Sequence, residues 1–139
     1  MATGTAGSSA RDVKSPVKQA LYTSVNYNDT GIASGVKFGT LPAGAVVTMT
    51  SVHVTTTFNA ATTNVLTVGT NGTTANDLIA SGSVDETTAG ATNVAPAAST
   101  AWGPLSADTD VYVKYTQTGT AATQGVARIV VEYINYNDC

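Results

Sequence analysis

The sequence predicts an all-β protein: an antiparallel two-sheet β-sandwich of the jelly-roll type with about eight strands. Short segments rich in β-branched and aromatic residues recur between Gly, Asn and Asp turns from Ala20 to Tyr133. No segment of useful length shows the apolar period of a helix. Much of the 42% hydrophobic fraction is alanine, and such a small-residue core favours a sandwich over a wide barrel.

Leu41–Phe58 is the longest segment of β type, and it opens with a Pro- and Gly-containing turn. Val47 and Met49 share one parity, whereas the apolar residues from Val52 onwards share the other. Because side chains alternate along a strand, either both faces are partly buried or the strand is bulged or bent near Thr50–Ser51. We expect a bend that lets this strand serve both sheets.

The remaining strands are separated by turn signals or by polar segments. They are predicted at Ala20–Tyr27, Ile32–Phe38, Val65–Val68, Leu78–Ala80 (a strand or one helical turn), Val94–Trp102, Asp110–Gln117 and Gln124–Tyr133. The last two have alternating apolar residues and are predicted to pair as a hairpin with an apolar inner face. Most of Ser81–Asp108 is expected to be a surface loop.

The first 18 residues are predicted to form a flexible arm, followed by one domain over residues 19–139. Arg11, Lys14 and Lys18 lie there with only Asp12 opposing them, so a basic arm precedes an acidic remainder. The net charge of −3 excludes nucleic acid as the main direct partner. No secretory signal and no membrane-spanning segment are predicted.

The sequence offers little to catalysis. His53 is the only histidine, Cys139 is the only cysteine, and neither has a partner at motif spacing. The acidic pairs Asp85–Glu86 and Asp108–Asp110 fall in turn-like segments, where Asp commonly caps backbone amides. We therefore predict no enzyme activity, cofactor or metal site, with a small hydrolase left only if an acid pair converges.

A short sequence pattern that occurs twice leaves a calcium site open as an alternative. Val25–Asp29 resembles Ile134–Asp138, and both contain Asn and Asp. Such oxygen ligands suit calcium, although no acidic loop of EF-hand type accompanies them.

The layout of residues 31–134 resembles a known family. A Pro-Gly turn leads into a Val/Thr strand, Leu66–Thr70 and Asn76–Asp77 follow, and the alternating segments Asp110–Tyr115 and Val126–Tyr133 come last. This layout is similar to that of the jelly-roll cement, or decoration, proteins of tailed-bacteriophage capsids, including the cement protein of short-tailed Bordetella phages.

The resemblance implies a structural virion protein on the outer capsid surface. It would bridge and stabilise neighbouring major capsid subunits as a homodimer, or alternatively a trimer, after assembly in the host cytoplasm. Arg11, Lys14, Lys18, Trp102 and Tyr112 are the candidate partner contacts. The alternative is a receptor- or glycan-binding module of a phage fibre, tail or adhesin, in which aromatic side chains such as Trp102, Tyr112 and Tyr115 would stack on sugars.

Overall fold

A computed structural model describes residues 18–96 and 102–135. Seven strands form in this part of the chain: β1 Lys18–Asn26, β2 Val36–Leu41, β3 Ala45–Thr56, β4 Thr63–Gly69, β5 Gly90–Val94, β6 Thr109–Thr118 and β7 Val126–Asn135. The described residues contain no α-helix, and hence no helix that could cross a membrane.

The strands form two antiparallel sheets, one in the order β1-β7-β3-β5 and the other in the order β2-β6-β4. Successive strands alternate between the sheets, so every link crosses the sandwich. Ile79 adds an isolated antiparallel bridge to Val68 at the outer edge of β4. The two sheets confirm the predicted antiparallel β-sandwich, and the strand or helical turn predicted at Leu78–Ala80 forms only this bridge, so the described residues hold seven strands.

The core lies between the inner faces of the two sheets. Its largest fully buried side chains come from both sheets and from the links: Tyr115, Phe58, Leu41, Leu66, Ile79 and Ile129. Burial of each such side chain contributes about 1.5–3 kcal/mol. The predicted turn before β3 is present, and Gly44 takes the positive φ of 87° that the sequence anticipated there.

The change of parity in β3 comes from a bulge, but it lies earlier than predicted. The pairing with β7 shifts between Val47 and Met49, so Thr48 is the extra residue, rather than a residue at Thr50–Ser51. The expectation that the strand serves both sheets is wrong, because β3 pairs only with β7 and β5 of one sheet. Because the bulge inserts one extra residue, the side chains on both sides of it can point to the core while the strand stays in one sheet.

The predicted hairpin of the last two strands is also wrong. Strand β6 pairs with β2 and β4, whereas β7 pairs with β1 and β3 in the opposite sheet. Their apolar faces therefore meet across the core instead of lying side by side. Gly125 permits the crossing, since a Cβ there would overlap the ring of Phe58.

Smaller differences concern the ends of strands. The segment predicted as Ile32–Phe38 forms its strand later, and Ile32 is buried in the preceding turn, where its carbonyl accepts from the Tyr115 N–H at 3.0 Å. Strand β5 ends at Val94, and residues 97–101 of the strand predicted at Val94–Trp102 lie outside the described residues. Lys18 belongs to β1, and the rest of the predicted arm lies outside the described residues.

Two single-residue deletions test the bulge. Deleting Thr48 removes the extra residue, so the inward alternation of β3 continues and the chain should fold. Deleting Ser51 keeps the bulge but turns Val52 and Val54 outward and His53 inward. Losing the burial of two valines at about 1.5–3 kcal/mol each should abolish or nearly abolish cooperative urea unfolding. Equal loss of stability in the two deletions would contradict the assignment of the bulge to Thr48.

Candidate interaction surfaces

The outward side of the four-stranded sheet carries several partly buried apolar side chains and one exposed one. Directly paired residues lie on the same side of a sheet, and the pairing aligns Tyr22 with Val130, Ala20 with Glu132 and Met49, and Lys18 with Ile134 and Val46. Tyr22 is 58% exposed and is the one exposed large hydrophobic side chain within the described ranges. We call these residues the outer sheet face.

Lys18 is the predicted contact residue that the structure describes on this face. Its Nζ lies 3.4 Å from Oε1 of Glu132, and both side chains are partly exposed. Such a pair contributes about 0–1 kcal/mol to stability, so Lys18 remains available to a partner. Arg11 and Lys14 lie outside the described residues.

An open groove of about 420 Å³ separates the neighbouring edges of β1 and β2. Its lining includes Ser24, Asp29, Ile32, Val36, Lys37 and Phe38. The charged groups in or beside the groove are engaged: Asp29 Oδ2 accepts from the Asn26 N–H at 2.8 Å, and Lys37 Nζ lies 3.0 Å from Oδ1 of Asp110. Hydrogen bonds from Lys37 and Thr40 lower the pKa of Asp110.

Tyr112 lies on the outer side of the three-stranded sheet and is half-buried. Its ring faces Gly72, where a Cβ would come within 3.3 Å of it. Asp77 holds this loop by accepting from the Thr70 N–H at 2.7 Å and the Thr70 hydroxyl at 2.6 Å. One side of the Tyr112 ring is therefore already covered by the chain itself.

Trp102 is a core residue, with 8% of its surface exposed. Its carbonyl accepts from the Val47 N–H at 3.0 Å, and the Leu105 N–H donates to the Ala45 carbonyl at 3.0 Å, so this segment is tied to the start of β3. The core role is thus the one that the structure supports, and the partner-contact role predicted for Trp102 has no exposed ring to carry it.

The acidic pairs do not converge. Asp85 caps its own turn by accepting from the Thr87 N–H and hydroxyl, and these hydrogen bonds, with one from Thr88, lower its pKa. Asp108 accepts from the Ala43 N–H at 2.9 Å, whereas Asp110 bonds Thr40. Across the described residues, no three His, Cys, Asp or Glu side chains are grouped so as to hold a metal ion.

Glu86 is the feature that sequence reasoning missed. It is 6% exposed, and its Oε1 accepts from the Leu66 N–H at 2.6 Å. Its carbonyl accepts from the Phe58 N–H at 2.9 Å, so the loop before β5 is fastened to two core segments. Burial raises the pKa of Glu86.

Tyr115 lies in the same region of the core. It is 1% exposed, its hydroxyl donates to Asn64 Oδ1 at 2.7 Å, and its ring centroid lies 4.6 Å from that of Phe58. Burial and the nearby charge of Glu86 raise its pKa. Only its position in an alternating strand could have signalled this burial, because the hydrogen-bond partners come from distant segments.

Solved structures of three phage capsids contain chains of the same fold. A chain of the cyanophage Pam1 capsid asymmetric unit is 22% identical, with a TM-score of 0.63 over 86% of this chain and 85% of that chain. A chain of the Ralstonia phage GP4 capsid is 19% identical, with a TM-score of 0.58 over 88% and 86%.

A chain of the acid-stable capsid of Helicobacter pylori bacteriophage KHP30 is 18% identical, with a TM-score of 0.54 over 85% of this chain and 87% of that chain. No protein-family model and no curated protein matches the sequence. At these identities the likeness establishes a shared fold, a β-sandwich found in chains of phage capsids.

Replacing Glu86 by glutamine tests its burial. The folded pKa is raised, so folding favours the protonated form and the contribution of Glu86 to stability increases as pH falls through the folded pKa. The glutamine side chain keeps an acceptor for the Leu66 N–H without a charge. We expect Glu86→Gln to be the more stable chain at pH 7, with the difference from wild type closing towards about pH 4.

Urea unfolding of both chains across this pH range is the measurement. Taking the difference between the two chains cancels the opposite contribution of Asp110, whose lowered pKa is common to both. Glu86→Ala, which leaves the buried Leu66 N–H unpaired, should lose about 1–3 kcal/mol. A pH-independent difference between wild type and Glu86→Gln would contradict the assignment.

Proposed function

We propose that this chain is a structural protein of a phage virion and part of its capsid. The observation that carries the proposal is the fold shared with chains of three phage capsids, which covers 85–88% of each chain in both directions. Coverage of this extent in both partners means that most of each chain takes part in the shared fold. A structural role, without catalysis, also agrees with the use of the carboxylates as caps and loop fasteners.

More specifically, we propose a cement or decoration protein that binds the outside of the shell and bridges neighbouring major capsid subunits. The resemblance seen in the sequence favours this role over that of the major subunit. Charged residues form only 11% of the chain, which suits extended contact with other proteins. Individually weak contacts suffice, because a lattice repeats them. Assembly in the host cytoplasm and a homodimer, or alternatively a trimer, belong to the same proposal.

The contacts proposed for the capsid are Arg11, Lys14 and Lys18 at the start of the chain, with Tyr112 on the opposite sheet. Because the rest of the chain is acidic, these basic residues are the part of the chain whose charge complements an acidic patch of the major capsid protein. Trp102 is not among them, because its ring is buried.

The aromatic side chains on which the glycan-binding alternative depends are not open for stacking on sugars. Of the three aromatic side chains that it invoked, Trp102 and Tyr115 are in the core and Tyr112 is half covered. Sugar stacking needs an open ring face, so a fibre or adhesin role has no aromatic cluster to support it among the described residues.

Heads assembled with and without the chain test the cement role. Heads lacking it should lose their DNA at lower temperature, and adding back the purified chain should restore the wild-type temperature. Quantitative protein staining of purified virions should give hundreds of copies, as expected for a subunit repeated over a lattice. Equal heat resistance of the two kinds of head, or a handful of copies per virion, would overturn the proposal.

Lys14→Glu tests the basic start of the chain. We expect its binding to heads that lack the chain to weaken by about 2- to 5-fold, as for a partly exposed ion pair, with less loss at high salt. Arg128→Glu is the matched control, because it makes the same change of charge on β7, where Arg128 pairs with Ser24 and His53, far along the strand from the Ile134 that pairs with Lys18. Equal weakening in both variants would show that only net charge matters.

A further inference from the structure

The free edge of β1 lacks the devices that normally protect an edge strand. β1 is nine residues long, pairs with β7 on one side without a register shift, and has no strand on its other side within the described ranges. Edge strands are usually blunted by proline, bulges or charges. Here the single charge is Lys18 at the first position, and the middle of the strand carries Tyr22.

Hydrogen bonding at the end of β1 shows which backbone groups face this edge. The Tyr27 N–H donates to the carbonyl of Gly125 in the segment leading into β7. Antiparallel pairing alternates hydrogen-bonded and non-hydrogen-bonded residues, so the odd-numbered residues of β1 bond β7. The N–H and C=O groups of the even-numbered residues point to the free edge.

Asn26 agrees with this alternation. Its N–H donates to Asp29 Oδ2 at 2.8 Å and its carbonyl accepts from the Asp29 N–H at 3.2 Å, so a turn already occupies both groups. The remaining backbone N–H and C=O groups that point to the free edge are those of Ala20, Tyr22 and Ser24. Among the described residues, the one hydrogen bond to these edge groups is a long one, 3.5 Å from the Thr23 hydroxyl to the Ser24 carbonyl.

We propose that β1 pairs antiparallel with β1 of a second copy of this chain, about a two-fold axis at Tyr22. Tyr22 is the central residue of the strand, so a two-fold axis there pairs Tyr22 with its counterpart and Ala20 with Ser24. Each is a hydrogen-bonded pair of the type that exchanges both N–H···O bonds. The two four-stranded sheets then form one continuous sheet, and the outer sheet faces join.

Side chains support a second copy as the occupant. The tyrosine rings lie side by side on the outer sheet face, so the one exposed large hydrophobic side chain of the described residues gains a partner identical to itself. The two Lys18 residues lie at opposite ends of the paired strands, and no like charges oppose each other. The pairing concerns the chain itself and stands whether or not the capsid proposal holds.

Sedimentation equilibrium of the full chain tests the pairing. The wild type should be a dimer, and Tyr22→Lys should weaken dimerisation by about 2- to 30-fold, because it removes the tyrosine pair and places two like charges on the axis. Tyr22→Phe should dimerise as wild type does. His53→Lys, an added charge on the central strand β3, should also leave the dimer unchanged.

Amide hydrogen exchange locates the interface independently of these substitutions. In the dimer, the amides of Ala20, Tyr22 and Ser24 should be protected, and dilution to the monomer should expose them. Leu21 and Thr23 should stay protected at every concentration, because their amides bond β7.

Three results would overturn the proposal. One is a chain that stays monomeric up to about 1 mM, the weak end of measurable association, or that forms trimers. Another is a dimer in which the amides of Ala20, Tyr22 and Ser24 exchange freely. The third is protection of these amides in the monomer, which would mean that another segment of the same chain covers the edge. A monomeric chain would also remove the homodimer from the cement proposal, and a trimer would leave that proposal its alternative. Binding to heads and the heat resistance of heads are measured separately, so failure of the capsid role remains distinguishable from failure of the β1 pairing.

Discussion

Each link between successive strands crosses the sandwich, so neither sheet can form without the other. The apolar side of a strand is buried only when the opposite sheet is in place, and neighbours in the sequence are never neighbours in a sheet. Stability therefore depends on long-range burial across the core, where Tyr115, Phe58 and Leu66 meet. Such a topology has few local contacts, and folds of this kind assemble slowly for that reason.

Three of the few carboxylates hold the loops between strands in place by accepting hydrogen bonds from backbone N–H groups. Glu86 secures the loop before β5, Asp77 secures the loop after β4, and Asp108 secures the turn before β3 through the Ala43 N–H. The outer sheet face, in contrast, carries a mixture of small polar, apolar and a few charged side chains around the exposed Tyr22. Function in such a molecule follows from its surfaces and edges, which agrees with a role in a repeated protein shell.

The edges of the two sheets are treated differently. The outer edge of β4 carries the Ile79 bridge, whereas β1 turns the backbone groups of Ala20, Tyr22 and Ser24 to its free edge. The other edge strands are β2, whose pairing with β6 shifts register, and β5, which has five residues, so β1 is the longest regular edge. A dimer formed there would leave the three-stranded sheet, with Tyr112, free to meet a different partner.

The sequence by itself determined the strand character of the chain, the turn at Gly44, a change of parity in β3 and the scarcity of catalytic groups. These depend on local properties: side-chain alternation, turn chemistry and composition. Only the tertiary structure decided that β6 and β7 face each other across the core, because a period of two does not distinguish adjacent strands from opposed ones. The same holds for Glu86, whose partners lie at Leu66 and Phe58. It also holds for the free edge of β1, which follows from the order of the strands within the sheet.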